Sequence, residues 1–494
     1  MISKYWRHFK RRIFKDNEKA EEERKKHNYE NEFYQVFICL GPLILTCGVG
    51  TMMGFSGIFL PQFRNNISFQ TTDDTEIDSW IASSAVIPMG VTALLGGILM
   101  DKIGRKWTHL LSSIPGFVGW IMISYSSNIS MVLLGRLMTG IACGIISPVT
   151  SVYIGETTSP SLRPLVSGGI ALSVTLGTLL CHCVGSFTTW RMTAVFCSVF
   201  PALGSLLTFF SPESPIWLIG KNKIDEGCEI FGKIRGSSES STIELNDALK
   251  RRKIIREGIE NETQGYTLPA KNLMKTEYFK PFIILVLYFV SAQVSGTNVV
   301  TFYAINVVER SLGKNFEKKY IVMLAMDSIR VFTSIVSCIL LKKMPRRLIA
   351  ISGGAGCFMC LIILSSSSYF SYNYSNFTVL VYIPLLALLG YVFFVSIALV
   401  ALPWCLSGEL LPREVKGLAS GTLCFISFTV FFIVIKFAPQ LYVGLGTHFT
   451  YLIFSSSALF GTILCYCFLP ETKNKTLDNI AELFENKNNE IIIT

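Results

Sequence analysis

Along this chain the apolar residues neither alternate with polar ones nor recur once per helical turn. They run on without interruption. Twelve such stretches begin near Val36, Trp80, Trp107, Ser130, Pro164, Trp190, Pro281, Tyr320, Leu348, Thr378, Gly417 and Thr447. Each is about 20 residues long, the length at which a helix crosses ~30 Å of hydrocarbon. Barrel strands would need only ~10 residues each and would alternate. The pattern predicts an all-α membrane protein of twelve transmembrane helices. The first run follows a long polar stretch rather than a short basic leader, so it reads as a retained span and not a cleaved signal.

Composition agrees. Of 494 residues, 50% are hydrophobic and 16% charged, against ~25% charged in a soluble domain. A soluble multidomain enzyme could not cover that much apolar surface. No Ser/His/Asp or metal constellation stands out, so no enzyme, catalytic residue, metal or cofactor is expected. Gly96-Gly97 lies inside a span and cannot cradle a phosphate. His182, alone among apolar residues, reads as a packed helix contact. Thirteen of the 14 cysteines lie in apolar runs, as small packing residues do.

Charge sets an expected orientation. With both termini in the cytosol, the cytosolic segments hold 35 of the 44 Lys and Arg, a strong positive-inside bias. The net charge of +10 is thereby assigned to the membrane face, with lipid and not nucleic acid as its partner. The sequons at Asn66, Asn128, Asn373 and Asn376 fall in loops this topology places outside, as glycosylation requires. The expected organisation is a tail (1-35), a six-helix bundle (36-211), a cytosolic linker with amphipathic helices (212-280), a second six-helix bundle (281-469) and a tail (470-494).

The two bundles repeat. Asp101-Lys-Ile-Gly-Arg-Lys106 follows the second span, and Lys342-Lys-Met-Pro-Arg-Arg347 follows the eighth. Glu156 is followed seven residues later by Arg163, and Glu409 by Lys416. Pro212-Glu213-Ser214 closes the sixth span, and Pro470-Glu471-Thr472 the twelfth. Parallel repeats of this kind mark carriers whose halves rock against each other. Asp101, Arg105, Glu156, Arg163, Glu213, Arg346, Arg347, Glu409, Lys416 and Glu471 are therefore expected to pair across helices as a cytosolic gate. The blander alternative is basic anchoring with casual acidic partners.

These motifs carry a family resemblance, together with Arg136-Leu-Met-Thr-Gly140, Tyr153-Ile-Gly-Glu156, Pro215, Trp217-Leu218, Gln293-Val-Ser-Gly-Thr-Asn298, Phe302-Tyr303 and Pro403-Trp404. The chain resembles the sugar porters of the major facilitator superfamily, especially the insect facilitated trehalose transporters. The resemblance implies two pseudo-symmetric bundles, alternating access around one sugar site and a monomer in the plasma membrane. It also implies Trp404 as a wall of the sugar cavity, against the alternative of an interfacial tryptophan.

The seventh span reads as the heart of the site in its own right. Gln293 and Asn298 are amides that donate and accept at once, as sugar hydroxyls require. Five residues apart on an ideal helix they point ~140° from each other, so they meet only if Ser295-Gly296 breaks the helix. The alternative is amide bonding between spans. Phe302 and Tyr303 are expected to form an outer lid.

Several positions depart from the family pattern: Ala171, Ala292, Arg330, Val400-Ala-Leu402 and Ser427-Phe428 stand where sugar porters carry other residues. Arg330 is a mid-membrane charge, a functional hypothesis by default. It selects an acidic solute, or it pairs with Asp327 at i−3. No Asp or Glu occurs from Phe33 to Gln62, where by resemblance proton symporters carry an acid. Facilitated diffusion of trehalose or a hexose is thus the leading expectation, with another polar or anionic solute as the alternative. A transport-deficient sensor is the other class. The short segment after Pro470 argues against it.

Overall fold

The computed structural model describes residues 2–64, 75–236, 241–246, 249–250, 276–313, 318–373, 382–411 and 416–473. Among them every regular element is helical. The first half comprises α1 (Ile2–Arg64), α2 (Thr75–Ser84), α3 (Met89–Ile103), α4 (Arg105–Ser124), α5 (Ile129–Thr157), α6 (Arg163–Phe187) and α7 (Trp190–Phe210). Two short helices follow, α8 (Pro215–Gly220) and α9 (Ile224–Arg235). The second half comprises α10 (Thr276–Val294), α11 (Thr297–Phe302), α12 (Ala304–Leu312), α13 (Lys319–Lys343), α14 (Arg346–Asn373) and α15 (Tyr382–Val395). It continues through a π-helical turn (Ser396–Ala401) into α16 (Leu402–Leu410), α17 (Lys416–Gly444) and α18 (Gly446–Phe468).

Among the described residues, eleven helices are long and apolar enough to cross a membrane. The twelfth is α4, the expected third span, whose polar residues lower its hydropathy. Those residues face inward. Thr108, His109 and Ser112 are fully buried, and His109 Nε2 lies 3.1 Å from Thr150 Oγ1 of α5. The twelve-helix arrangement therefore holds. The first span starts earlier than its apolar run. Residues 18–26 are all Glu, Lys, Arg or Ala, good helix formers, and α1 continues through them.

Two breaks shape the core. Between α2 and α3 the chain turns at residues 85–88, freeing carbonyls that Arg136 of α5 collects. Its guanidinium donates to Met52 O (2.9 Å), Ser56 Oγ (2.7 Å), Ala82 O (3.2 Å) and Ile81 O (3.3 Å). A fully buried cation is thus held by backbone dipoles. The second break is at Gly296, between α10 and α11. Its φ of 85° lies in the left-handed region open to glycine.

The halves meet along α6–α13 and α3–α17. At the face away from the Lys/Arg motifs, the far face, they also meet along α2–α17 and between α1 and α11–α12. There Lys436 Nζ donates to Ser79 Oγ at 2.8 Å and stands 3.8 Å over the Trp80 ring. At the opposite, basic face, α5 and α16 are not extensively packed among the described residues. Among the described residues, the halves are packed together at the far face, while at the basic face α5 and α16 stand parted.

Candidate functional site

The broken span does what its residues demand. With the turn at Gly296, Asn298 Nδ2 donates to Gln293 Oε1 at 2.6 Å, and Gln293 Nε2 donates to Ser427 Oγ of α17 at 3.1 Å. Both amides are only partly buried, while their neighbours on the two helices are mostly enclosed. Tyr391 of α15 closes the break by donating to Ser295 O at 2.9 Å. The result is a chain of neutral donors and acceptors between α10, α11 and α17. Ser427 is one of the departures from the family pattern, and here it is the partner of Gln293.

Phe302 and Tyr303 are shut into the far face. Phe302 sits edge-on to Phe431 at 5.4 Å, with Arg136 at 6.0 Å from its ring, and the Tyr303 hydroxyl donates to Ile435 O at 3.0 Å. Trp404 is 45% exposed on the parted side. Its ring meets Phe289 edge-on at 4.9 Å. The π-helical turn just before it was not expected. It frees Ala398 O to accept from the Tyr288 hydroxyl at 2.8 Å, a common use of such turns.

Arg330 is not part of a self-contained pair with Asp327. Its Nη1 lies 3.6 Å from Asp327 Oδ1 and donates to Thr301 Oγ1 of α11, one turn beyond Asn298. The nearer partner of Asp327 is His182 of α6, with Nδ1 2.5 Å from Oδ2. His182 is thus a packed helix contact, and a polar one that reaches an acid of the other half. Its signal in the sequence was a polar ring in one apolar span and an acid in another, 145 positions apart.

At the basic face the repeat extends to single atoms. Arg105 Nε and Nη2 grip Glu156 in a bidentate pair, both at 2.9 Å, and Arg346 Nε and Nη2 reach Glu409 at 3.3 and 3.0 Å. Ser214 Oγ and Thr472 Oγ1 donate to Glu156 and Glu409, each at 2.5 Å. Glu213 accepts from the backbone N–H groups of Arg105 and Lys106 at the start of α4. Glu471 accepts likewise from Arg346 and Arg347 at the start of α14. Carboxylates belong there, where free N–H groups and the helix dipole converge. Gly104, at φ 98°, lets α3 end and α4 begin within one residue, and a Cβ there would strike the Glu213 carboxylate. Burial raises the Glu213 carboxyl above its ordinary range, against the lowering pull of the Ser214, Lys106 and Arg105 N–H groups.

The ion pairs described at this face each join elements of one half. Arg105 and Glu156 join α4 to α5, and Arg346 and Glu409 join α14 to α16, so each rim ties its own helices. The Asp101 side chain makes an exposed contact to Arg105 at 3.5 Å, and its carbonyl accepts from Trp217 Nε1 at 3.0 Å. Arg163 does not meet Glu156. It pairs at 3.2 Å with Glu244 of the linker, which also holds Arg235 at 2.7 Å. Gln35 binds Ile234 O at 3.2 Å and Ser159 N at 2.7 Å. The linker thus lies against the basic face of the first half. Arg347 Nη2 donates to Tyr466 O. The side chain of Lys416, at the start of α17, lies outside what is described. Of the sequons, Asn66 and Asn376 lie outside the described residues, as does the side chain of Asn373. Asn128 is exposed and caps α5, its Oδ1 accepting from Met131 N at 2.9 Å.

Two six-helix halves, a broken span of amides between them and a repeated charged rim define a multi-pass membrane carrier. The sequence profile described as "Sugar (and other) transporter" matches residues 28–484, and the chain belongs to that family. Among curated relatives it is similar to the "Facilitated trehalose transporter Tret1" of Apis mellifera ligustica, 27% identical over 91% of this chain and 88% of that protein. "Sugar transporter ERD6-like 6" of Arabidopsis thaliana is 28% identical over 80% of each chain. The chain spans only 55% of the Anopheles gambiae trehalose transporter it matches at 26% identity over 88% of its own length. Among solved structures, the major facilitator superfamily proton:xylose symporter XylE bound to 6-bromo-6-deoxy-D-glucose superposes with a TM-score of 0.75. It is 18% identical, over 92% of this chain and 100% of that one. The inward open conformation of XylE from E. coli gives 0.70 at 19% identity, over 91% and 98%. The fold is that of the major facilitator superfamily.

Proposed function

We propose that this chain is a facilitative carrier that passes a neutral sugar of the trehalose or hexose class across the plasma membrane by alternating access. The observation that carries the reading is the Asn298–Gln293–Ser427 chain, brought together by the Gly296 break and left partly open between the halves. Its donors and acceptors satisfy one another at rest and can exchange to sugar hydroxyls. Trp404, exposed on the parted side, offers a ring face to sugar C–H groups. The names of the relatives support a sugar solute, and the absence of an acid between Phe33 and Gln62 supports downhill transport. In this reading the basic face, with both termini, is cytosolic, the structure is an inward-open state of a monomer, and Asn66, Asn128, Asn373 and Asn376 face outward as glycan acceptors.

The test is uptake of a panel of labelled sugars and sugar acids into proteoliposomes, with binding to variants. An unpaired sugar hydroxyl in a closed site costs ~1–3 kcal/mol. Gln293→Ala is therefore expected to weaken binding by roughly tenfold to a hundredfold, with Arg330→Gln sparing it. Unchanged sugar binding in Gln293→Ala with total loss in Arg330→Gln would transfer the role to an anionic solute. Arg330 Nη2, buried and without a partner among the described residues, is the observation that keeps that second reading alive.

A further inference from the structure

The His182–Asp327 pair serves neither the amide site nor the charged rims. The two residues come from different halves and are 0% and 2% exposed. The sequence of α1 explains how they meet. Gly50, Gly54 and Gly57 fall on one side of that helix. A Cβ on Gly50 would collide with the Val174 carbonyl of α6, and one on Gly177 of α6 with the Cys47 carbonyl of α1. Bare backbone on both sides lets α1 and α6 approach closely, and His182 Nε2 comes within 2.8 Å of Gly54 O.

That contact fixes the hydrogens. A carbonyl only accepts, so Nε2 carries a proton. Nδ1 faces Asp327 Oδ2 at 2.5 Å. With Nε2 already protonated, the second contact holds a hydrogen in two ways only. Either an imidazolium donates to a carboxylate, or a neutral imidazole accepts from a carboxylic acid. Both forms contain one proton more than neutral histidine beside ionised aspartate, where a nitrogen lone pair would face a negative oxygen. Arg330, on the same helix as Asp327, favours the carboxylate form.

The other groups around the pair do not replace that proton. From α1 the described groups beside it are Gly57 and the Gly54 carbonyl, neither of which titrates. α11 presents the Thr301 hydroxyl, already accepting from Arg330. On α6, the thiol of Cys181 faces Cys197 of α7 at 3.8 Å. The Tyr391 hydroxyl of α15 is engaged with Ser295 O. Arg136 of α5 is held by backbone carbonyls and Ser56.

We infer that His182 and Asp327 form a proton-binding site shared by the two halves, occupied when the far face is closed and emptied when it opens. On opening, the imidazolium gives its Nδ1 proton to entering water, leaving neutral imidazole, ionised Asp327 and hydronium. A ligand that binds one arrangement better shifts the balance toward it. Acid therefore favours the arrangement seen here, and alkali favours far-face opening. The inference goes beyond the sugar reading, and its test needs no solute, so the two stand or fall separately.

The probe is a cysteine at Ala304, which is 1% exposed on α12 in the far-face closure. The full chain carrying Ala304→Cys, in lipid nanodiscs without solute, is reacted with a maleimide across the histidine range of about pH 5 to 8. Labelling of the chain without that cysteine is subtracted. The same cysteine is then measured with His182→Gln and Asp327→Asn, whose amides can hydrogen-bond without a titrating proton. Dividing one rate by the other removes the titration of the thiol itself. The expected ratio rises severalfold with pH, with ~tenfold per pH unit as the limit for a single proton. The same pH dependence in both backgrounds overturns the proposal. Where the double variant is not monodisperse, Asp327→Asn alone replaces it, with the same two outcomes.

Discussion

At the scale of single residues, two glycines separated by seven positions show how differently the same atom can matter. Gly104 has φ 98°, and a side chain there would meet Glu213. Gly97 lies in the middle of α3 with nothing within 4 Å of a built Cβ. Gly97→Ala should stabilise the purified protein slightly, by about 0.5–1 kcal/mol, because glycine loses more freedom in a helix than alanine. Gly104→Ala should destabilise it by about 1 kcal/mol or more, from the left-handed backbone alone and further from the displaced carboxylate. Melting temperatures of the two variants in one detergent check this, and equal shifts would contradict it. Both glycines could be read from the chain, but only one reads as special, because it sits within the charged Asp101–Lys106 motif at a helix boundary. Gln293 and Asn298 were legible for a similar reason. Polar amides five apart in an apolar run have no use for each other unless the backbone bends, and Ser295-Gly296 supplies the bend. His182 and Asp327 were not, since nothing local in either span points to the other.

At the scale of elements, lipid makes long apolar runs compulsory, and this is why the spans stand out in the sequence itself. Where polar residues do the packing the signal thins, as in α4, whose buried Thr108, His109 and Ser112 face a neighbouring helix. The π-helical turn at Ser396–Ala401 left no trace in the pattern, because one extra residue in a turn changes hydrogen bonding and not hydropathy. The linker was legible as charged and helical, but its docking partner was not. The spacing from Glu156 to Arg163 marked the repeat without naming a partner, and Glu244 of the linker takes Arg163. Glu244 also faces the buried guanidinium of Arg235. Burial lowers the hold of Arg235 on its proton, and Glu244 acts to restore it. Glu244→Gln leaves that cation without its anion, so α9 should detach more often. Trypsin cleavage after Arg235 in the folded protein is expected to accelerate about tenfold, in proportion to local opening. An unchanged rate would mean that packing alone holds α9 in place.

At the scale of the whole molecule, the order in which the charges pair decides what they can do. Glu156 and Glu409 are each tied to an arginine of their own half, at 2.9 and 3.0 Å. Charges that join two bodies lose their effect together, whereas charges that brace separate bodies lose it independently. Glu156→Gln and Glu409→Gln should therefore lower the stability of the purified protein additively, within about 0.5 kcal/mol. A double variant markedly less destabilised than the sum would restore a direct coupling across the basic face. The docked part of the linker is tied in the same one-sided manner. Gln35, which holds Ile234 and is itself held by Ser159 N, and Arg163, which holds Glu244, all belong with Ser159 to the first half. The described end of the linker is thus braced to one half alone, so a change that loosens α9 bears on that half and not on its partner.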